Sequence, residues 1–250
     1  MARISKQKMK LYNEAEEILT QDALSETEKD FVFANWLPEI EFDVGGDGVF
    51  FTPEEIAHEL AVMVGDCPCQ ILDLCAGIGR LSYTIYEFSK WRNRRPQITA
   101  IERNPRFVEV GRKLLPEATW ICMSVFDEEA WEENGFEDGY FDFAISNPPF
   151  GEIGHSGWRG FKTIADLNCV GIAMDKTKYG GIFILPSESV PWTCSGESYT
   201  TFVESAKWNK LEKQYPGIVC HPCCVDLDVH QKEWLGVSPK VELANIRIDQ

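Results

Sequence analysis

Between residues 70 and 185 the chain alternates short apolar runs with amphipathic stretches, and this alternation limits the folds open to it. Apolar runs at 70–75, 97–102, 119–123, 141–146 and 181–185 have the length and composition of buried strands. Residues 80–91, 105–115 and 161–178 carry apolar positions at helical spacing between them. Strand–helix–strand repetition of this kind predicts an α/β fold: a parallel sheet with helices on both faces. Two later runs, 225–229 and 241–248, are expected to pair and close the sheet, giving seven strands.

The segment ahead of the sheet reads differently. Residues 9–19 have helical spacing, and Ser25-Glu26-Thr27-Glu28 is a helix start. Gly45-Gly46-Asp47-Gly48 is a turn or flexible loop. Residues 1–47 are therefore expected to form a helical N-terminal extension and 48–250 the main domain. Thr52-Pro53-Glu54-Glu55 then supplies an N-cap, a proline at the first helical position and acids in the first turn of a helix running to Val64.

Composition narrows the class further. Residues 1–10 are basic with no apolar stretch behind them, and no run reaches the roughly 18 apolar residues of a membrane-spanning helix. Nine cysteines, an odd number and scattered, read as reduced thiols of a cytoplasmic protein. The net charge of −16, from 24 basic and 40 acidic residues, excludes a generic nucleic-acid coat protein. It leaves room for a local basic face. The candidate groups are Lys90, Arg92, Arg94 and Arg95; Arg103, Arg106, Arg112 and Lys113; and Arg159 with Lys162. Taken singly, each group reads as solvated surface.

Chemistry concentrates at the strand ends. Asn147-Pro148-Pro149-Phe150 follows the fourth strand, where two prolines end the strand and stiffen the loop. Ligands of open α/β sheets bind at that carboxyl edge. An amide, a rigid carbonyl and an aromatic face there suit a planar substrate with an exocyclic amino group. The first strand ends in Asp73-Leu74-Cys75-Ala76-Gly77-Ile78-Gly79, a glycine turn before a helix N-terminus. The second ends in Glu102, 29 residues after Asp73, where an acid can accept both hydroxyls of a ribose. Together these favour a nucleoside-containing cofactor.

In this order, the glycine turn, Glu102 and the Asn147–Phe150 tetrapeptide resemble class I S-adenosylmethionine-dependent methyltransferases, and the tetrapeptide resembles their amino-methyltransferase branch, which includes N6-adenine DNA methyltransferases. Phe50-Phe51-Thr52-Pro53 is similar to the segment preceding the glycine motif in those DNA enzymes, and 179–186 to their fifth strand. The resemblance implies a Rossmann-like fold, a mostly parallel seven-stranded sheet, and S-adenosyl-L-methionine as cofactor. It further implies that Phe51 and Thr52 cover the cofactor's methionine part and that Asp73, Cys75, Gly77 and Gly79 line its path. Glu102 would hold the ribose, with Arg103 beside the adenine ring. At the end of the third strand, Ser124 and Val125 fall where an acid commonly contacts the cofactor's adenine amino group. That acid is missing from Met123-Ser124, and Asp127, a few residues on, is the open candidate to replace it.

The tetrapeptide's chemistry follows from its atoms. The Asn147 side-chain oxygen and the Pro148 carbonyl can both accept from an exocyclic amine, drawing its lone pair out of the ring for direct transfer. Phe150 would stack on the target base, which must leave the helix if the substrate is duplex DNA.

Other cysteine and histidine motifs read as structural. Cys67-Pro68-Cys69 precedes the first strand, away from the tetrapeptide's position. Cys220-His221-Pro222-Cys223-Cys224, with His230 near it, lacks the paired spacing of a zinc site, so no metal is expected. Gly151–Gly157, followed by Trp158 and Arg159, is either a loop that orders on substrate or plain surface with one anchoring Trp, and His155 reads as solvated.

The expected activity is methyl transfer to adenine N6 in DNA by a phage or bacterial enzyme. The alternatives are an RNA base amino-methyltransferase, a protein glutamine N5-methyltransferase, or a non-catalytic cofactor-binding interaction protein. Only about 65 residues follow the fifth strand, too few for a sizeable recognition domain. The expected partner is therefore nucleic acid, DNA before RNA, with no membrane and with room for a specificity subunit or a homo-oligomer. Residues 1–45, 151–165 or 188–216 would read the target.

Overall fold

Strand β1 (Gln70–Leu74) is buried along almost its whole length, so it needs cover on both faces. It pairs in parallel with β2 (Gln97–Glu102) on one side and β4 (Phe143–Ser146) on the other. The computed structural model describes residues 5–37, 51–65, 70–151, 157–161, 164–195, 199–223, 227, 234 and 240–249. Adding β3 (Thr119–Cys122), β5 (Gly181–Pro186), β8 (Ile218–Pro222) and β9 (Val241–Ile248) gives one seven-stranded sheet in the order β3-β2-β1-β4-β5-β9-β8. Only β9 runs against its neighbours, antiparallel to both β5 and β8. The expected Rossmann-like, mostly parallel seven-stranded sheet is present. Strand order reverses between β1 and β4, which is where open α/β sheets form their ligand crevice.

The two-residue period of each strand sorts its side chains between two cores. Ile71, Ile98, Ile145 and Ile182 face α3 (Glu54–Val64) and α4 (Arg80–Trp91), through Ile56, Leu60, Leu81 and Ile85. Leu72, Leu74, Ala144 and Phe183 face α7 (Ala165–Lys176) and α8 (Ala206–Gln214), through Leu167, Val170, Trp208 and Leu211. Two more helices follow β2 and β3: α5 (Pro105–Leu114) and α6 (Glu128–Glu133). A separate hairpin, β6 (Trp192–Ser195) with β7 (Tyr199–Phe202), follows β5.

The extension begins with α1 (Lys6–Leu19) and α2 (Glu26–Asn35), the latter closed by the expected Ser25–Glu28 capping box. It packs on the first core. Trp36 is fully buried, its indole donates to Glu16, and Glu16 accepts two bonds from the Arg106 guanidinium at 2.8 and 2.6 Å. Arg80 lies 4.1 Å from the centre of the Phe33 ring. The expected boundary at 47–48 and the glycine run beside it lie outside the described residues.

Three expectations are corrected. Pro53, not Thr52, occupies the N-cap of α3, and no side chain caps that helix. The helix expected from 161 starts at Ala165, because a 3-10 turn (Trp158–Gly160) with left-handed Arg159 and Gly160 precedes it. The strand partnering β9 is Ile218–Pro222 rather than 225–229, of which only Leu227 is described. No described helix is long and apolar enough to cross a membrane.

Candidate active site

The register of two strands assembles the site. Leu74 of β1 stands opposite Ser146 of β4, so the chain leaves both strands side by side, into 75–79 and into Asn147-Pro148-Pro149-Phe150. The Ser146 hydroxyl donates to the Leu74 carbonyl across this junction. After β1 the backbone turns through left-handed Cys75, Gly77 and Gly79, and the Ala76 N–H reaches the Ile101 carbonyl of β2 at 2.9 Å. Gly79 caps α4, and a Cβ there would lie 2.8 Å from the Trp120 ring. Only glycine fits that approach. The N-terminus of α4 is thereby aimed at the crevice.

Two acids sit beneath this turn. Glu102, at the end of β2, accepts the Gly77 N–H at 2.9 Å and the Asn104 N–H at 2.8 Å. Burial raises its pKa, opposed by those two backbone bonds. Asp73 is fully buried and accepts the Ser82 hydroxyl at 2.6 Å, while its other oxygen has no hydrogen-bond partner. Burial pushes its pKa up to about 7, against the Ser82 bond and with the help of the Glu102 charge. The Cys75 and Cys169 sulfurs are 3.9 Å apart; that contact, with burial, raises the Cys75 thiol well above its ordinary range. A carboxylate at a strand end, a left-handed glycine turn and an orphaned buried acceptor fit a cofactor that carries a ribose diol and an ammonium group.

Phe51 and Thr52 close the site from the helical side. A Cβ on Gly77 would lie 3.2 Å from the Phe51 ring, a tight approach, and the left-handed backbone there favours glycine as well. The Phe51 ring stacks on Trp36 with centroids 6.1 Å apart and meets Phe107 edge-on at 5.4 Å. The Thr52 hydroxyl accepts from Asn147 Nδ2 at 3.0 Å. Pro148 is buried, and half-buried Phe150 packs on the first core. The Gly151 carbonyl accepts the Ala165 N–H at 2.8 Å, tying the end of this loop to α7.

The remaining expected residues divide. Exposed Arg103 follows Glu102, and half-buried Ser124 and buried Val125 follow β3, all on the carboxyl edge. Asp127 is exposed and caps α6, accepting the Ala130 N–H at 3.3 Å. Trp158 is buried, with its backbone N–H on Asn168 and its indole on Asp175. Arg159 is exposed, as a solvated cation would be, and pairs with Asp138 at 2.8 Å and Asp175 at 3.1 Å. Phe50, Cys67, Cys69, His155, Lys162, Cys224 and His230 lie outside the described residues. Sequence reasoning missed Ser82, Ser146, Trp36 and Trp120. The contacts that bring them to the site reach partners 9 to 72 residues away, and no local pattern marks them.

Comparison with known proteins agrees with this geometry. The family profile described as methyltransferase small domain matches residues 59–165. Among solved structures, the chain is similar to a modification subunit of a putative type I restriction enzyme from Vibrio vulnificus YJ016, with 15% identity and a TM-score of 0.60 over 89% of this chain and 50% of that one. A type I restriction-modification methyltransferase subunit from Streptococcus thermophilus gives 15% identity and 0.60 over 94% and 52%. A putative class I S-adenosylmethionine-dependent methyltransferase from Listeria monocytogenes gives 13% and 0.59 over 98% and 82%. The chain spans about half the length of the two restriction-modification subunits. No curated protein matches its sequence. The expected cofactor, S-adenosyl-L-methionine, agrees with the family profile and with the fold. The chain has the Rossmann-like fold of the class I methyltransferases, and its residues 59–165 match the methyltransferase small domain.

Proposed function

We propose that this chain is an S-adenosylmethionine-dependent methyltransferase acting on an exocyclic amino group, adenine N6 in DNA. One observation carries the reading: the Leu74–Ser146 pairing sets the cofactor turn and the Asn147 tetrapeptide against each other at the strand-order reversal. Glu102 would hold the cofactor's ribose, and Asp73 would offer its orphaned oxygen to the ammonium end. When bound, the cofactor supplies a methyl group activated by a positive sulfur. An aromatic amine is a poor nucleophile because its lone pair is shared with the ring. Acceptance of its two hydrogens by the Asn147 oxygen and the Pro148 carbonyl draws that pair toward the reaction centre. On methylation the amine would give up one proton to solvent, the methyl group parting from its sulfur to leave a neutral thioether, and the Phe150 ring would steady the base.

The charge pattern supports a nucleic-acid substrate. Glu16 of α1 pairs with Arg106 in the first turn of α5, while Lys113 in its last turn donates to the Gln21 carbonyl at 2.7 Å. Helix α1 therefore runs alongside α5 in the same sense, and its first residues extend past the carboxyl edge of the sheet. Lys6, Lys8 and Lys10 are all exposed there, at about 9–15 Å beyond Glu16 along the helix. Fold similarity to two restriction-modification subunits, and the Phe50–Pro53 resemblance, favour DNA over RNA.

The test is tritium transfer from labelled cofactor to DNA, to total RNA and to cell extract, with Asn147→Ala as control. Label in DNA as N6-methyladenine, lost in the variant, is the expected result. Label confined to RNA or protein would replace the DNA reading. Cofactor binding without transfer to any of the three would end the enzyme reading.

A further inference from the structure

We infer that Glu16 of the helical extension is a positioning residue for the cofactor site, one carboxylate that sets both Phe51 and Glu102 about Gly77; this rests on the reading of 75–79 as the cofactor turn. Gly77 is gripped from two directions. Its N–H donates to Glu102 at 2.9 Å, and a Cβ on it would lie 3.2 Å from the Phe51 ring. Both grips lead back to Glu16. On one side Trp36 stacks on Phe51 with centroids 6.1 Å apart, and the Trp36 indole donates to Glu16. On the other, Arg106 donates to the two Glu16 oxygens at 2.8 and 2.6 Å. The Arg106 backbone N–H donates to the Asn104 side chain at 2.9 Å, and the Asn104 N–H donates to Glu102 at 2.8 Å.

The chemistry of these groups suits that task. Oε1 of Glu16 gathers three donors: the Trp36 indole, the Arg106 guanidinium and the Tyr12 hydroxyl at 3.2 Å. Trp36 is fully buried, so no water can take over its N–H where it stands. Without Glu16 the indole must shift or stay unpaired, and Phe51 loses the ring it leans on. Arg106 would keep Glu109 at 2.8 Å, so no cation is left stranded and the loss falls on placement. Phe51 is only half-buried, so unlike Trp36 it keeps some exposed surface. Glu16, Trp36 and Phe51 all precede residue 59, where the family profile begins. The extension thereby completes a site whose turn belongs to the matched domain.

Cofactor Kd from calorimetric titration with S-adenosyl-L-methionine, and melting temperature, both on the full chain, test this. Glu16→Ala is expected to raise the Kd by roughly threefold to thirtyfold, the span of coupling within one contact network. Lys90→Gln, which breaks the bond to Glu26 that also ties the extension to α4, should change it less than about twofold. The Kd effect of Glu16→Ala should shrink in a Phe51→Ala background and in a Glu102→Gln background, while its loss of melting temperature persists in both. A merely structural support would not show that split. An unchanged Kd in Glu16→Ala, whatever its melting temperature, would overturn the inference. So would full additivity in either background, or an equal rise from Lys90→Gln. If Glu16→Ala does not fold, two milder variants decide by the same comparisons: Glu16→Gln, which keeps an acceptor for the indole, and Trp36→Phe, which keeps a ring and removes the N–H. Should neither Phe51→Ala nor Glu102→Gln alter the Kd, the cofactor-turn reading itself falls, whatever Glu16 does.

Discussion

The Glu102 carboxylate holds the backbone N–H of Gly77 at 2.9 Å, so the proposed ribose ligand also fixes the shape of the cofactor turn. Glu102→Gln keeps one acceptor oxygen and removes the charge. Losing a charge-assisted hydrogen bond of roughly 1.5–3 kcal/mol is expected to weaken cofactor binding about tenfold or more. Calorimetric titration checks this, and an unchanged Kd would remove Glu102 from the cofactor site.

Asp73 predicts a pH dependence of folding. Its carboxyl rises from an ordinary 3.8 to about 7 in the folded chain, chiefly through burial. Between those values the folded state keeps a proton that the unfolded chain has released. The stability tied to this proton is therefore present at low pH and lost as pH rises through that window, at about 1.4 kcal/mol per unit. Asp73→Asn has the same outline and does not titrate. The stability difference between wild type and variant, from urea unfolding, should turn against the wild type between about pH 4 and 7. A flat difference would mean that the carboxyl titrates normally.

Gly111 tests the packing behind the turn. A Cβ there would lie 2.2 Å from the Trp120 ring, which also closes against Gly79 and donates its indole N–H to the Leu115 carbonyl at 3.1 Å. Gly111→Ala gains helix propensity but overfills this contact, so a net loss of about 1–3 kcal/mol is expected. Thermal unfolding reads it. A raised melting temperature would show that the indole can move aside.

The cationic start of α1 predicts a salt effect. Arg3, Lys6, Lys8 and Lys10 are accompanied by no acid in the first ten residues, while the other 240 carry 20 basic and 40 acidic residues. Replacing the three lysines with glutamine should weaken DNA binding and flatten its dependence on salt by about 0.9 log units per lost phosphate contact. Arg94→Gln with Arg95→Gln, at the opposite edge of the sheet just before β2, should leave the slope unchanged. Equal effects from both sets would point to overall charge rather than to α1.

Much of the frame was legible because its signals are local. Apolar runs with strand period located β1 to β5 and β9 to within a few residues, and Ser25–Glu28 marked the start of α2. Helix α6 escaped notice because six residues, four of them glutamate, show no apolar stripe. Strand β8 was displaced in the reading because 218–222 and 225–229 are both short and apolar, and only pairing with β9 chooses between them. Thr52 shows the limit most clearly. Its neighbours Pro53 and Glu55 spell a helix cap, yet its hydroxyl bonds Asn147, 95 residues on. Asp127 goes the other way: a candidate ligand by position, it also caps the helix that directly follows.

The Leu74–Ser146 pairing also bears on how such a protein can change its target. Because the two loops leave opposite ends of one rung of a single ladder, their separation at the sheet follows from the spacing of neighbouring strands, about 4.8 Å, and from neither loop's own sequence. If these loops carry the proposed transfer, segments beyond Gly151 and the hairpin after β5 could be lengthened or exchanged without disturbing the distance over which the methyl group would travel.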